Sequence, residues 1–133
     1  MAEPTADDLA KVPVFASLSH DVRAALAPTF DVEAFAAGSD MVTEGRSGYA
    51  FYVLAQGQAT VSHDGRQVRE LGPGDYFGEM AILGDGRRTA TVTATTPCRA
   101  WVLFGTMFRS LQMSQPEIAG ELVQVMRDRL TAD

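Results

Sequence analysis

From Phe30 to Phe104 the chain is cut into short runs of alternating apolar residues by turn-forming residues, and this rhythm restricts the fold more than any other feature. Phe51/Val53, Ala59/Val61, Ala90/Val92 and Ala100/Val102 each mark alternate positions, the period of side chains on one face of a strand. Gly45, Gly57, Asp64-Gly65 and Pro73-Gly74 interrupt them, so turn signals return roughly every 8–12 residues. That spacing does not suit βαβ units and predicts antiparallel sheets. Asp64-Gly65 predicts a hairpin tip, and Pro73-Gly74 a type II turn with glycine at the position of positive φ.

Helices flank the strands. Thr5 with Asp8 predicts the cap of a short first helix, and Ser19 that of a second running to Ala27, which Pro28 stops. Phe15 and Leu18 between them are candidate core anchors. After Phe104, Ser114 and Glu117 form an expected capping box ahead of Ile118, Leu122, Val125, Met126 and Leu130, a stripe at helical spacing that packs on the barrel. The fold class is therefore mainly β with flanking helices, an antiparallel β-barrel or jelly roll of the double-stranded β-helix kind seen in cupins. One domain over 1–133 is expected, with a helical N-terminus at 5–28, the barrel at 30–104 and C-terminal helices at 105–131. At 133 residues and 46% hydrophobic, the chain can bury a core of its own.

Composition removes several classes of function. The net charge is -6 and the basic residues are scattered, which argues against holding nucleic acid through its phosphates. No apolar run approaches the roughly 18 residues of a membrane span, and the polar, acidic stretch Met1 to Asp8 does not read as a secretion signal. A lone cysteine, Cys98, allows no disulfide within the chain and fits a reducing compartment, so a cytoplasmic location is expected, with Cys98 in the core. Lys11 is the one lysine among the basic residues, and with abundant alanine this hints at a GC-rich bacterial source.

The chemistry concentrates in Phe77-Gly78-Glu79-Met80-Ala81-Ile82-Leu83 and, after a glycine-bracketed loop, Arg88-Thr89-Ala90-Thr91-Val92. A phosphate needs backbone within reach and no side chain in the way, which Gly78 allows, and the next turn offers free amides. A planar guanidinium such as Arg88 grips two phosphate oxygens at once. Strand alternation sends only one of Arg87 and Arg88 into such a pocket, and the spacing to Ala90 and Val92 favours Arg88. Glu79 is out of place beside free phosphate, because the two repel by ~1 kcal/mol in water at contact distance. A sugar hydroxyl that donates to it removes the difficulty and points to a sugar phosphate. The protein's acidity repels anions at long range, so attraction must be local.

These residues resemble the phosphate-binding cassette of the cyclic nucleotide-binding domain family, found in bacterial catabolite activators, regulatory subunits of cyclic-nucleotide kinases and gated channels. The resemblance runs from about Val14-Phe15 through Phe35 to Gly38, Glu44-Gly45, Phe51 to Gly57 and Gly72-Pro73-Gly74-Asp75 to the closing helix near Leu130. It implies that Glu79 binds the ribose 2'-hydroxyl and Arg88 the cyclic phosphate, while amides at Gly78, Ala81 and Ala90 complete the cage with Met80 beside them. It also implies that the last helix moves on ligand binding and often carries a lid over the base, so that here the base is either left exposed or covered by a partner. The family usually places proline immediately before the arginine, whereas Arg87 stands here, which loosens the loop Gly84-Asp85-Gly86-Arg87. Thr89 resembles the hydroxyl of cGMP-selective kinases, although bacterial cAMP receptors place a hydroxyl there too.

The expected function is a stand-alone, non-enzymatic sensor of a 3',5'-cyclic nucleotide, cAMP favoured over cGMP, that repositions its C-terminal helix to signal to a protein partner. The resemblance adds a homodimer through that helix as a further expectation. No cofactor is expected beyond this ligand, and neither nucleic acid nor membrane is an expected partner. The alternative is a degenerate barrel without ligand that serves as a protein-interaction module, with Glu79 paired to Arg88. A metal-dependent cupin needs several converging ligands, and His20 and His63 are the only histidines, both expected at the surface. Trp101, Tyr49, Tyr52 and Tyr76 could stack on a base, but their positions within strands favour packing. Arg129, near the end of the last helix, either reaches Glu79 or the nucleotide or lies on a solvated face.

Overall fold

The computed structural model describes residues 3–43, 50–83 and 90–132. Helix α1 (Ala6–Ala10) opens on a reciprocal cap: the Thr5 hydroxyl accepts from the Asp8 amide at 3.1 Å, and the Asp8 carboxylate accepts from the Thr5 amide at 2.9 Å. Helix α2 (His20–Leu26) is capped by Ser19, whose hydroxyl accepts from the Val22 amide at 3.2 Å. It passes into a 3-10 turn, Ala27–Thr29, that holds Pro28. Between the helices, one terminal nitrogen of Arg23 donates to the carbonyls of Phe15, Ala16 and Leu18 and ties the connection down.

Among the described residues eight strands follow in antiparallel pairs: β1 (Asp31–Phe35), β2 (Asp40–Val42), β3 (Ala50–Gln56), β4 (Ala59–His63), β5 (Arg66–Leu71), β6 (Tyr76–Phe77), β7 (Thr91–Ala94) and β8 (Cys98–Phe104). They form two four-stranded sheets, ordered β1-β8-β3-β6 and β2-β7-β4-β5. The architecture is the expected jelly roll with flanking helices, and among the described residues the two sheets do not pair into a closed barrel. The hairpin at Asp64-Gly65 has both residues at positive φ, +51° and +77°, the backbone of a type I′ turn. At Pro73-Gly74 the Asp75 amide closes the turn on the Gly72 carbonyl at 3.1 Å, with Gly74 at φ +93° as a type II turn requires.

Alternation in the central strands β3 and β8 sorts residues between two cores rather than between core and water. Tyr52, Leu54, Ala100, Val102 and Cys98 point between the sheets, where they meet Met41, Ala59, Leu71, Val92 and Ala94 from the second sheet. Phe51, Val53, Trp101 and Leu103 point the other way, into a cluster with Leu9, Phe15, Leu26 and Phe30. Helices α4 (Gly105–Ser114) and α5 (Pro116–Ala132) close this second core with Phe108, Leu111, Leu122 and Met126. Ile118 and Val125 pack at its margin, so the expected stripe of α5 is a packing face, while the side chain of Leu130 lies outside the described residues.

Two expectations are corrected. Ser114 does not begin the last helix with Glu117: it ends α4, and its hydroxyl donates to the Ser110 carbonyl at 2.9 Å. Pro116, lacking an N–H and with φ preset, takes the first position of α5, which moves the cap to Gln115, whose carbonyl accepts from Ile118 and Ala119. Ala90 is not a strand residue either. It sits in a bend, and β7 begins at Thr91.

Candidate functional site

The segment carrying the expected chemistry leaves β6 at Phe77, which is fixed in the inter-sheet core by its ring stacked on Tyr52, centroids 4.8 Å apart. Gly78 then turns the chain at φ +79°, a backbone conformation in which a Cβ is disfavoured. Glu79 follows in a turn, and its carbonyl accepts from the amides of Ile82 and Leu83, both at 2.9 Å, to start the short helix α3 (Met80–Leu83). Leading amides of a helix have no partner within it, so the turn at Gly78 leaves main-chain donors next to a position without a side chain.

Helix α3 is held from behind. Ile82 and Leu83 pack against the helix-side core, and α3 touches β3, α4 and α5. Met80 and Ala81 are the first residues of α3, and their side chains lie outside the described residues, as do Arg88 and Thr89 entirely. Gly78, Glu79 and Ala90 are each half-buried.

Glu79 lines a cavity of about 160 Å³ together with Pro13, Tyr76, Arg69 and Arg129. Arg69 comes from β5 and Arg129 from α5, so two cations from distant parts of the chain share a cavity with two carboxylates, Glu79 and Asp75, the latter accepting from the Gly72 amide at 2.8 Å. Arg129 is thus both exposed and directed to the neighbourhood of Glu79, joining the two placements that the sequence left open. Arg69 went unnoticed in the sequence. Its strand is polar throughout except at Val68 and the buried Leu71, and nothing local separates it from Arg66.

The aromatic candidates pack within the fold where they are described, and Tyr76 also lines the cavity at Glu79. Tyr52 and Trp101 are buried, and Tyr76 is half-buried against Phe51, ring centroids 5.7 Å apart. Tyr49 lies outside the described residues. His20 and His63 are exposed, and Cys98 is buried between the sheets. Among the described residues no three His, Cys, Asp or Glu side chains converge as a metal site, and no helix is long and apolar enough to cross a membrane.

Comparison with known proteins places this geometry. The chain is 40% identical over 122 residues to the cAMP-dependent protein kinase regulatory subunit of Eremothecium gossypii, covering 91% of this chain and 25% of that protein. It is 37% identical over 95 residues to the cGMP-dependent protein kinase egl-4 of Caenorhabditis briggsae, covering 67% of this chain and 13% of that kinase. The chain thus spans about a quarter or less of the length of these relatives. Among solved structures, the N-terminal domain of a transcriptional regulator from Streptomyces coelicolor A3(2) superposes with a TM-score of 0.77 at 29% identity, covering 93% of this chain and 90% of that one. The family model for the cyclic nucleotide-binding domain matches residues 32–115, from β1 through α4 and including the whole segment from Gly78 to Ala90. The chain belongs to the cyclic nucleotide-binding domain family.

Proposed function

We propose that this chain is a sensing module for a 3',5'-cyclic nucleotide, with cAMP preferred over cGMP. In this reading the amides of Gly78, Ala81 and Ala90, with Met80 beside them, and the guanidinium of Arg88 hold the cyclic phosphate, while Glu79 accepts from the ribose 2'-hydroxyl. Thr89 lies next to the base. The observation that carries the reading is the position of Glu79, between a left-handed glycine and the first turn of α3, on a cavity that α5 also lines through Arg129. Free phosphate gives a carboxylate no reason to stand there, whereas a sugar hydroxyl does.

The signal would leave through α3. Its contacts with α4 and α5 mean that drawing Gly78 and Glu79 toward a ligand repositions the C-terminal helices, and their new surface acts on a protein partner. No bond is made or broken in this scheme. The preference for cAMP is supported by the cAMP-dependent kinase subunit among the relatives, and Thr89 leaves cGMP as the competitor to be measured.

Calorimetric titration with cAMP and cGMP tests the assignment, repeated on Arg88→Ala. Ligand at ~100-fold above its dissociation constant stabilises a fold by about 2.7 kcal/mol, which reads out as a higher melting temperature. Arg88→Ala is expected to remove that stabilisation while leaving the protein folded. A well-folded wild-type protein that binds neither nucleotide would instead favour the interaction module.

A further inference from the structure

A second surface lies away from the cassette. Strand β1 is the outer strand of its sheet, paired to β8 on one side and to no strand on the other among the described residues. Residues of β1 line a groove of about 1040 Å³ formed by Glu3, Pro4, Pro28, Asp31, Glu33 and Phe104 with Ala27 and Val32, and among the described residues no lysine or arginine contributes to it. None of these three carboxylates takes part in a hydrogen bond or ion pair among the described residues. Phe104 is 37% exposed at the rim, and Met107, three residues on at the start of α4, is 44% exposed.

An open strand edge exposes main-chain donors and acceptors, and sequences ordinarily blunt it with lysine, proline or a covering segment. Here the edge carries acidic residues and an adjoining apolar step instead. A second copy of β1 is a poor occupant, since pairing two such edges would bring carboxylates against carboxylates. Nucleic acid and anionic lipid are repelled for the same reason. A lone metal ion finds no cluster of three suitable ligands here among the described residues. The geometry points to a docking groove for an extended, cationic segment of a partner protein, which adds a strand to β1, sets lysine or arginine against Asp31 and Glu33, and rests an apolar side chain on Phe104. Main-chain pairing supplies most of the affinity, and the charges select the partner.

The groove shares no residue with the cavity at Glu79, so its occupation can be tested whatever the cassette binds. The probe is a short synthetic peptide that alternates lysine with valine and carries one phenylalanine, titrated into the isotope-labelled full chain. Amide resonances of residues 31–35 and 104 are expected to shift, with affinity that falls as salt is raised. The double variant Asp31→Asn, Glu33→Gln, checked for an unchanged melting temperature, is expected to weaken binding about fivefold at low salt. A peptide methylated on alternate amide nitrogens, which cannot pair as a strand, is expected not to bind. The same titration on Arg88→Ala is expected to match wild type. The proposal is overturned if β1 resonances stay fixed, if the double variant or the methylated peptide binds as well as the original, or if sedimentation shows β1 occupied by a second copy.

Discussion

Glu79, in the turn ahead of α3, and Arg129, in the last turns of α5, line one cavity of about 160 Å³, and among the described residues no hydrogen bond or ion pair joins them. A hydroxyl placed in that cavity can donate to the carboxylate and accept from the guanidinium. A hydroxyl held by a charged acceptor contributes on the order of 1.5–3 kcal/mol. A 2'-deoxy analogue of the bound nucleotide is expected to bind at least about tenfold more weakly than the parent. Glu79→Gln should abolish most of that discrimination, and Arg129→Ala should lower the affinity of the parent. Because the two side chains share a cavity, their effects are expected not to add, and additive losses in calorimetry would separate Arg129 from the site.

Gly78→Ala addresses the turn itself. At φ +79° an alanine costs roughly 1–2 kcal/mol of backbone strain, relieved only if the turn changes shape. Either outcome disturbs the position of Glu79 and of the first amides of α3. The expected result is a modest loss of stability with a disproportionate loss of nucleotide affinity. Unchanged affinity in a destabilised protein would show that the turn does not shape the site.

How far the sequence disclosed all this depends on whether each signal was local. The hairpin at Asp64-Gly65, the turn at Pro73-Gly74 and the caps at Thr5 and Ser19 involve residues a few positions apart, and each stands as expected. The cap at Ser114 failed because two local signals competed, and Pro116 as first helical residue won over the serine before it. Alternation in β3 and β8 was visible, but a helical layer outside the first sheet cannot be read from a strand, so the sequence did not reveal that Phe51 and Trp101 face one core while Tyr52 and Val102 face another. At the site, Gly78 and Glu79 were legible as a motif. The approach of Arg69 to Glu79 was not, and that of Arg129 stood only as one of two alternatives, since both depend on how β5 and α5 lie against the cassette.

Gly57 presents a different case, a glycine required by packing as well as by backbone. It lies at φ +96°, and a Cβ there would run into the Pro97 carbonyl oxygen and the Cys98 sulfur. Because one obstacle is main chain, the strand connection must shift to admit any side chain. Gly57→Ala is expected to destabilise the fold by about 3 kcal/mol, the sum of left-handed strain and overpacking. Gly38, at φ +88° with open space around the Cβ position, is the control, and its alanine variant should lose only the strain, about 1 kcal/mol. Equal losses at the two positions by denaturant unfolding would refute the packing argument.

Trp101, the sole tryptophan, is buried on the helix-facing side of β8, and among the described residues its indole N–H has no hydrogen-bond partner. Burying an unpaired donor costs about 1–3 kcal/mol, so the residue brings a penalty along with its large apolar contact. Trp101→Phe removes the N–H and a ring's worth of packing together, and the two changes oppose each other. The net effect is expected to stay within about 1 kcal/mol of zero, whereas Trp101→Ala, which keeps none of the packing, should lose about 3–5 kcal/mol. A loss of several kcal/mol in the phenylalanine variant would mean that the N–H is satisfied in solution. The same residue reports on signalling: it shares its core with Leu122 and Met126 of α5 and with the margin residues Ile82 and Leu83 of α3. Cyclic nucleotide binding that moves α3 against α5 should therefore change Trp101 fluorescence, and Arg88→Ala should abolish the change. Nucleotide binding with constant emission in the wild-type protein would separate ligand capture from movement of the C-terminal helices.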